Sequence, residues 1–555
     1  NHFDDDGEQE ASKDERQVTG IVVGGTASNP VFYVSSSDPE VGGPSGDKNL
    51  DTNSGVITRF SWKGSSRNDP NGFWEVVDIV RGLPRSEENH ASNGMELVSI
   101  NGKNYLLLCS GGHANAGAPS SKFAYLTDFA LSAAVLIIDL DMIESMPIWT
   151  DTRTGRKVVF DPLTVDDPQK ENITNSDPRF PYPAGHPYYN ETIDVNDPFG
   201  GNDGLNQAKL LVSTNDKPMP VQIFSPGYRN TYDLVVTQSG AVYVTDNGAN
   251  GTWGGYPFGE ATANVDNRFR PGEPGSSDFD SDNNEAKVNN SDHLNLVTTN
   301  INNYTFGSVY GGHPVPVRAN LNAGLYTRGD NDNPNTEDPN DTDNDGFTDG
   351  FFRTKKYDPN SADPDASNPK RALPADWPPI DPSLINVIEG DFRQPVINNN
   401  TGVRSGNNDY GGGADAQDII VANWGNNTNG IDEYTSSLYF GGSMQGALIA
   451  GENSGKLHLL YMKNDGTLQS IEQEKYTVGG NPLGITCNGD SDPFPGTIWV
   501  ATFNGNIQIL EPDEILACIE PNEPGYDGSA DYDADGYSND EELDPANDTD
   551  HCNAG

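Results

Sequence analysis

The sequence predicts an all-β fold, because short apolar or alternating runs recur along the chain and Gly, Asn, Asp or Pro bounds each run. Runs with helical periodicity are scarce. The 61 glycines and 39 prolines among the 555 residues supply the turns that many short strands need. Repeated hairpins over a chain of this length favour a β-propeller over a sandwich, with a loop-rich acidic insertion and a short C-terminal calcium-binding extension.

The predicted strands begin near the N-terminus and fall into pairs. In chain order they cover residues 20–25, 31–36, 55–62, 73–80, 95–100, 105–110, 133–140, 210–214, 221–225, 233–238, 241–246, 436–440, 446–451, 456–462, 497–503 and 506–512. A Ser-Gly dipeptide separates 233–238 from 241–246, which is typical of a hairpin turn. We expect the first strand region, 17–25, to pair with the last, 505–512, and so to close the ring.

Three segments differ in composition from the strand regions. Residues 1–16 form an acidic leader, and residues 327–383 are rich in Asp, Asn and Pro with little strand pattern. Residues 513–555 follow the last predicted strand and carry a second acidic motif. The predicted organisation is a mobile leader, a propeller over 17–512 that contains the insertion, and an extension over 513–555.

The charge of the chain limits the partners it can have. There are 83 acidic and 33 basic residues, which gives a formal net charge of −50. A surface of this sign repels nucleic acid and anionic membranes and attracts divalent cations. No apolar run approaches the ~20 residues that a membrane-spanning helix needs. We therefore expect a secreted or cell-surface protein that continues into further domains, whose ligand is a glycan, another protein or a second copy of itself.

The four cysteines are Cys109, Cys487, Cys518 and Cys552, and they show no spacing typical of a zinc site. Three complete pairings are open, and the sequence does not choose among them. We favour Cys518–Cys552, because these residues bracket an acidic calcium-type loop. Cys109 lies in an apolar run, which predicts a buried free thiol.

The acidic loop at 531–542 predicts a calcium site. Its sequence DYDADGYSNDEE has carboxylates at alternate positions, a glycine for the sharp turn and a glutamate at the twelfth position. Calcium binds six to eight oxygens, and this spacing supplies them from one tight loop. The predicted ligands are Asp531, Asp533, Asp535, Tyr537 through its carbonyl, Asn539 and Glu542. The loop resembles thrombospondin type 3 repeats, which implies a rigid extracellular spacer.

A second acidic loop lies inside the insertion, at 341–352. Its sequence DTDNDGFTDGFF follows the same pattern but ends in Phe352, so the twelfth-position carboxylate is missing. The predicted calcium ligands are Asp341, Asp343, Asp345, Phe347 through its carbonyl, and Asp349.

Four stretches of the middle region share motifs with one family. PGYRNTYDLVVTQSGAVYVTDNGANGTWG (226–254) carries G-x-R-N, an apolar strand and Y-x-T-D-N-G. DHLNLV (292–297) and YGGHP (310–314) follow in order, and NHASNGMELVSINGKNYLLLCSGG (89–112) precedes them. These stretches resemble the glucose/sorbosone dehydrogenase family, and their order fits most of 20–512.

The resemblance implies a six-bladed propeller that oxidises sugars with pyrroloquinoline quinone and calcium. His90 matches the family's general base, and Arg229 and Asn230 match positions that contact the quinone. The carbonyls of Gly248 and Ala249 match the ligands of the cofactor's calcium. Taken without the resemblance, the same residues also suit a surface or capping histidine, a loop-packing pair and an ordinary hairpin turn.

Departures from the family pattern concern charge. The stretch that corresponds to the family's arginine pair, VGGNPLGIT (478–486), has no basic residue, and Lys456 is the only basic residue of GENSGK (451–456). The acidic residue expected after strand 105–110 is replaced within GGHAN (111–115). A tricarboxylate quinone would lose charge-assisted hydrogen bonds worth ~1.5–3 kcal/mol each.

Two functions follow from these observations. The first is a calcium-stabilised binding or structural module of a larger extracellular protein, and the missing cations favour it. The alternative is a calcium- and pyrroloquinoline-quinone-dependent sugar or alcohol dehydrogenase, which His90, Arg229 and Asn230 favour. We expect the first, and therefore a chain that is not an enzyme, with calcium as its ligand and the quinone in doubt.

Overall fold

The computed structural model describes residues 15–41, 54–86, 88–113, 115, 123, 131–151, 154–160, 220–248, 250, 292–307, 309, 311, 419–424, 427–512, 521, 528–529, 538 and 540. The chain divides into two compact units. The first comprises Asn1–Leu234 and Tyr243–Asn427, and the second comprises Val235–Val242 and Thr428–Gly555.

The described secondary structure consists of 21 strands, one α-helix and short 3-10 turns. The bounds of the strands are β1 Gln17–Gly25, β2 Pro30–Ser37, β3 Gly55–Lys63, β4 Phe73–Leu83, β5 Ser92–Ile100, β6 Lys103–Ser110, β7 Ala134–Asp139, β8 Trp149–Thr150, β9 Lys157–Phe160, β10 Val221–Pro226, β11 Thr231–Val236, β12 Val242–Asp246, β13 Asp292–Thr298, β14 Ile420–Trp424, β15 Thr428–Tyr434, β16 Ala447–Glu452, β17 Lys456–Met462, β18 Leu468–Thr477, β19 Pro482–Cys487, β20 Ile498–Thr502 and β21 Ile507–Leu510. The helix α1 covers Leu140–Ser145.

The first sheet has six strands in the order β1-β2-β3-β4-β9-β8. Its pairs are antiparallel except β4 with β9, which run parallel. The guanidinium of Arg156 donates to both carboxylate oxygens of buried Asp78 on β4. Arg81 Nη1 lies 2.6 Å from Asp151 Oδ2, directly after β8. These two charged pairs hold the β8–β9 hairpin against β4.

The second sheet has the order β10-β7-β6-β5, and the third has the order β11-β12-β13-β14. The turn between β5 and β6 is Asn101-Gly102, with φ of 50° and 83°. Positive φ at both residues is what a two-residue hairpin turn requires. After β7 the chain enters α1, because the Asp139 carboxylate accepts a hydrogen bond from Met142 N and caps the first turn.

The second unit contains a four-stranded sheet, β15-β16-β17-β18, and a three-stranded sheet, β19-β20-β21. Apolar side chains that alternate along these strands meet in one core. Its buried members are Tyr434, Met444, Ala447, Ile449, Leu457, Leu459, Val478, Ile485, Cys487, Ile498 and Val500. The alternation read from the sequence therefore corresponds to inward-facing positions.

The predicted all-β fold is confirmed, and the sheets follow one another along the chain as propeller blades do. The predicted number of six blades is wrong, because five sheets are described. Residues 149–150 and 157–160 extend the first sheet instead of beginning another. The predicted strand at 210–214 lies outside the described residues.

The expected pairing of the first strand with the last is not found. β1 pairs with β2 at one edge of its sheet, and β21 pairs with β20 at the edge of another. The insertion at 327–383 and nearly all of 513–555 lie outside the described residues. Within the described part of the chain, no helix has the length and apolar character needed to cross a membrane.

Candidate functional site

The candidate site lies in the first unit, where the ends of several strands meet. Its residues come from the connection between β4 and β5, the loop after β6, the connection between β10 and β11, the end of β12 and the start of β13. Loops held by rigid sheets are where proteins commonly place functional groups.

The β4–β5 connection carries His90 in a closed loop. Ser86 N donates to His90 O at 2.8 Å, and His90 N donates to Ser86 Oγ at 2.9 Å. The side chain of Arg85 is fully buried, and its guanidinium donates to backbone carbonyls that include those of Asp38, Ser86 and Glu88. Buried carbonyls need such donors, so Arg85 fixes the loop that presents His90.

The imidazole of His90 is buried, with 2% of its surface exposed. Its Nδ1 lies 2.8 Å from the carbonyl oxygen of Gly112. A carbonyl only accepts hydrogen bonds, so Nδ1 carries the proton and Nε2 keeps its lone pair in the neutral ring. Nε2 lies 3.9 Å from Glu88 Oε2. The ring is therefore in the form that a general base needs.

Two glycines after β6 join His90 to the next sheet. Gly111 N donates to Ala91 O at 3.0 Å, and Gly112 N donates to Arg229 O at 2.8 Å. A Cβ atom on Gly111 would lie 2.6 Å from His90 Cβ and 2.9 Å from Asn230 Oδ1. Only glycine therefore allows His90 and Asn230 to approach each other here.

Arg229 is buried, with 2% of its surface exposed. Its Nε donates to Asn115 Oδ1 at 2.9 Å, and its Nη1 lies 3.3 Å from Asn247 O. Its guanidinium lies 6.0 Å from the centroid of the Phe123 ring, and that ring lies 5.0 Å from the ring of His90. Phe123 thus packs against both the imidazole of His90 and the guanidinium of Arg229.

A buried carboxylate fixes the backbone of the Arg229-Asn230 pair. Asp246 Oδ2 accepts from Arg229 N at 3.2 Å, and Asp246 Oδ1 accepts from Asn230 N at 2.8 Å. His293 Nε2 lies 3.6 Å from Asp246 Oδ2. The Asn230 side chain accepts a long hydrogen bond, 3.4 Å, from Asn93.

A second carboxylate fixes the segment around Gly248. Asp292 Oδ1 accepts a hydrogen bond from Gly248 N at 2.9 Å. Burial raises the pKa of Asp292 to about 6, although that hydrogen bond, His293 and Arg229 act to lower it. The carboxylates of Asp246 and Asp292 make this end of the site rich in oxygen.

Cys109 lies at the end of β6 beneath the site and accepts a hydrogen bond from Thr231 Oγ1, 3.1 Å from Sγ. Burial raises the pKa of its thiol well above the ordinary value, which disfavours a nucleophilic role. The prediction of a buried free thiol at Cys109 is confirmed, and Cys487 is also free and buried. The favoured pair Cys518–Cys552 lies outside the described residues.

The structure brings together four of the predicted site residues, His90, Arg229, Asn230 and Gly248. Ala249 lies outside the described residues. The predicted calcium ligands also lie outside them: Asp531, Asp533, Asp535, Tyr537, Asn539, Glu542, Asp341, Asp343, Asp345, Phe347 and Asp349. Among the residues that are described, no cluster of three or more His, Cys, Asp or Glu side chains has a metal-binding arrangement.

Lys456, the basic residue considered for the quinone, belongs to the surface of its own sheet. Its Nζ donates to Thr477 Oγ1 at 3.1 Å and lies 3.6 Å from Glu474 Oε2. The stretch 478–486 leads into β19 without a basic side chain. In the described part of the chain, Arg229 is therefore the cation that the site offers.

Sequence reasoning missed Arg85, Glu88, Asn115, Asp246 and Asp292. Asp246 and Asp292 lie within motifs already singled out, so their position beside Gly248 was a usable signal. Glu88 stands two residues before His90, but the sequence does not show that the chain turns there. Asn115 contacts residues more than a hundred positions away, at Arg229 and Asn250.

No protein-family model matches the chain, and no curated protein matches it in sequence. Similar solved structures include an oxidoreductase (glucose dehydrogenase) from Thermus thermophilus, with 11% identity, covering 86% of this chain and 78% of that chain, and a TM-score of 0.32. The PQQ-bound aldose sugar dehydrogenase of Streptomyces coelicolor has 11% identity, covers 89% of this chain and 79% of that chain, and has a TM-score of 0.33. The apo form of the soluble aldose sugar dehydrogenase of Escherichia coli has 12% identity, covers 87% of this chain and 79% of that chain, and has a TM-score of 0.32. These identities and TM-scores are too low to place the chain in a family.

The prediction of a binding or structural module that is not an enzyme is contradicted by this comparison. The similar solved structures carry the names of glucose and aldose sugar dehydrogenases. The error came from the missing basic residues in 451–456 and 478–486. Those positions concern the binding of one cofactor, whereas His90 and Arg229 lie in other segments of the chain.

Proposed function

We propose that this chain oxidises a hydroxyl group of a sugar or another alcohol. His90 takes the hydroxyl proton at Nε2, and Arg229 and Asn230 would hold a two-electron acceptor that would supply the chemistry for hydride removal. One observation carries the proposal: the 2.8 Å contact between His90 Nδ1 and Gly112 O leaves the Nε2 of a buried imidazole as the proton acceptor.

The residues of the site fit an anionic quinone at one edge. A buried guanidinium and a neighbouring amide are the groups that recognise a carboxylate and a carbonyl. Arg229 and Asn230 supply these groups, and Gly111 leaves the space in which Asn230 and His90 approach each other. Pyrroloquinoline quinone with calcium would supply the hydride acceptor, with the Gly248 carbonyl among the calcium ligands.

The remaining residues orient this machinery. Asp246 holds the backbone of both Arg229 and Asn230, so the two side chains leave the chain at fixed positions. Asp292 does the same for Gly248. Phe123 and the buried walls exclude water from the base, which strengthens electrostatic interactions around it.

The proposal includes calcium and an extracellular location. The acidic sequences at 531–542 and 341–352 support calcium binding outside the propeller strands. A net charge of −50 suits a protein that is surrounded by free divalent cations.

Reconstitution tests the proposed activity. Purified chain is loaded with calcium and pyrroloquinoline quinone, and reduction of a dye is followed with aldoses and with simple alcohols. We expect sugar-dependent dye reduction that needs the quinone, and weaker loading in Arg229→Gln. Absence of both quinone binding and turnover, in protein that melts cooperatively, would exclude this activity.

A further inference from the structure

We infer that Glu88 is the group that takes the proton from His90 after each turnover and passes it to water. This inference rests on the proposed function, because it concerns the fate of the proton that the base removes. Glu88 matches no motif of the family resemblance, and its position next to the base follows from the structure alone.

The need for such a group follows from the hydrogen bond at Nδ1. The partner of Nδ1 is the carbonyl oxygen of Gly112, 2.8 Å away, and a carbonyl cannot carry the proton onward. The proton that arrives at Nε2 must therefore leave from Nε2. His90 is 2% exposed, so direct loss of the proton to bulk water is hindered.

Glu88 lies on the required side of the ring. Its Oε2 is 3.9 Å from Nε2, and its side chain is 14% exposed, compared with 2% for His90. The carboxylate is therefore near the buried ring nitrogen and more accessible to solvent than the ring is. A carboxylate this close to a buried imidazole also stabilises the imidazolium that forms when the base is protonated.

The loop keeps this pair in place. The hydrogen bonds between Ser86 and His90 close the turn that contains Glu88. Arg85 Nη1 lies 3.4 Å from the backbone carbonyl of Glu88, so the buried guanidinium anchors the backbone of this residue. The backbone that carries both side chains is therefore held in place, as a proton-transfer step requires.

Other charged groups surround His90, and they are present both in the wild type and in a variant of Glu88. The guanidinium of Arg229 lies beyond Phe123, and Asp246 lies behind the Arg229-Asn230 backbone. His113 follows Gly112 in the loop after β6 and is buried. None of these is changed by a substitution at Glu88, so differences between variants report on Glu88.

The proton and electron balance is complete. The substrate O–H bond breaks as the Nε2–H bond forms, and the hydride on the same carbon goes to the quinone-type acceptor. The carbon–oxygen single bond becomes a carbonyl. The Nε2–H bond then breaks as an O–H bond forms on Glu88, and Glu88 returns its proton to water.

The kinetic test compares Glu88→Gln with the wild type, with Glu472→Gln as the matched control. Glu472 is an exposed carboxylate on β18 that pairs with Lys475, so its loss changes the net charge equally without touching the site. We expect kcat of Glu88→Gln to fall ~10- to 100-fold, as for loss of a general acid–base group. Small buffer bases such as imidazole should restore much of that loss by taking the proton from His90, and the kcat of Glu88→Asp should lie between those of Glu88→Gln and the wild type.

Equal kcat in Glu88→Gln and wild type would overturn the inference and leave the dehydrogenase proposal intact. A fall in kcat that no buffer base restores would also overturn it, because that result indicates a merely structural role.

A second readout needs neither cofactor nor substrate. In the unloaded protein, the pKa of His90 is measured by nitrogen NMR of labelled histidine, and His90→Gln assigns the signal. We expect the pKa of His90 to fall by ~0.5 unit or more in Glu88→Gln and to stay unchanged in Glu472→Gln. If the pKa of His90 is unchanged in Glu88→Gln, the interaction between Glu88 and His90 is rejected, even if the protein oxidises sugars. A lowered value without any turnover would support the pair and reject the proposed reaction.

Discussion

At the scale of single residues, the environment decides chemistry that the residue type leaves open. A carbonyl 22 positions along the chain accepts the Nδ1 proton of His90 and leaves the Nε2 lone pair in the form that the proposed base needs. No pattern near His90 predicts that contact. The sequence therefore identified the histidine as a candidate but did not predict its tautomer. Asp432, near the start of the second unit, is a second residue whose environment changes its chemistry, in this case with an effect on folding stability.

Asp432 predicts a pH dependence of folding. Desolvation raises the pKa of this carboxyl to about 7, against hydrogen bonds from Cys487 N and Glu433 N. A raised folded-state pKa adds stability below the unfolded value of about 4, and that stability is lost as the pH rises to about 7. Between pH 5 and pH 8 the wild type should therefore lose ~2–3 kcal/mol relative to Asp432→Asn.

Urea unfolding at both pH values measures this difference, and the comparison with Asp432→Asn removes the general effect of net charge. Identical pH slopes for the two proteins would show that Asp432 ionises normally in the folded chain.

At the scale of elements, the sequence predicted strands well where alternation was strong and failed where elements were short. The predicted run 105–110 is nearly β6, Lys103–Ser110. The run 133–140 ends as a strand at Asp139, because that side chain caps α1. β8 has two residues, Trp149–Thr150, which is too short for any period to appear. β18 has a mostly exposed, charged sequence, so the sequence did not predict a strand there.

The attachment of β9 to the first sheet predicts strong coupling between two residues. Asp78 is 3% exposed and accepts from both Arg156 and Thr58 Oγ1. Arg156→Met leaves this carboxylate buried without its cation, which should cost ~2–4 kcal/mol. The double variant Asp78→Asn with Arg156→Met should recover more than half of that loss.

Urea unfolding of the two single variants and the double variant gives the coupling energy, and Lys475→Met at an exposed pair is the control expected to change little. Simple additivity of the two single changes would contradict a direct pair.

At the scale of the whole molecule, charge is the property to be explained. A chain with a net charge of −50 repels itself, and bound cations would offset that repulsion. The sequence predicted the all-β fold, with six blades expected where five sheets are described. It did not predict that the β8–β9 hairpin joins the first sheet, because that depends on contacts such as Asp78–Arg156. The hydrogen bond between Asn115 and Arg229 likewise joins residues that are far apart in the sequence.

Chelation tests the role of calcium. Removing calcium should lower the melting temperature, because a ligand that binds only the folded state stabilises it. Glu542→Gln should reproduce part of this shift and reduce the further effect of chelator. A melting temperature that is unchanged by chelator would reject calcium as a structural component.

The most direct test of the site is the turnover of His90→Gln beside the wild type, both loaded with calcium and quinone. We predict that kcat/KM for an aldose falls ~10²- to 10⁴-fold in the variant, while quinone loading and the melting temperature stay close to wild type. Oxidation by His90→Gln at the wild-type rate would show that the buried imidazole is not the base.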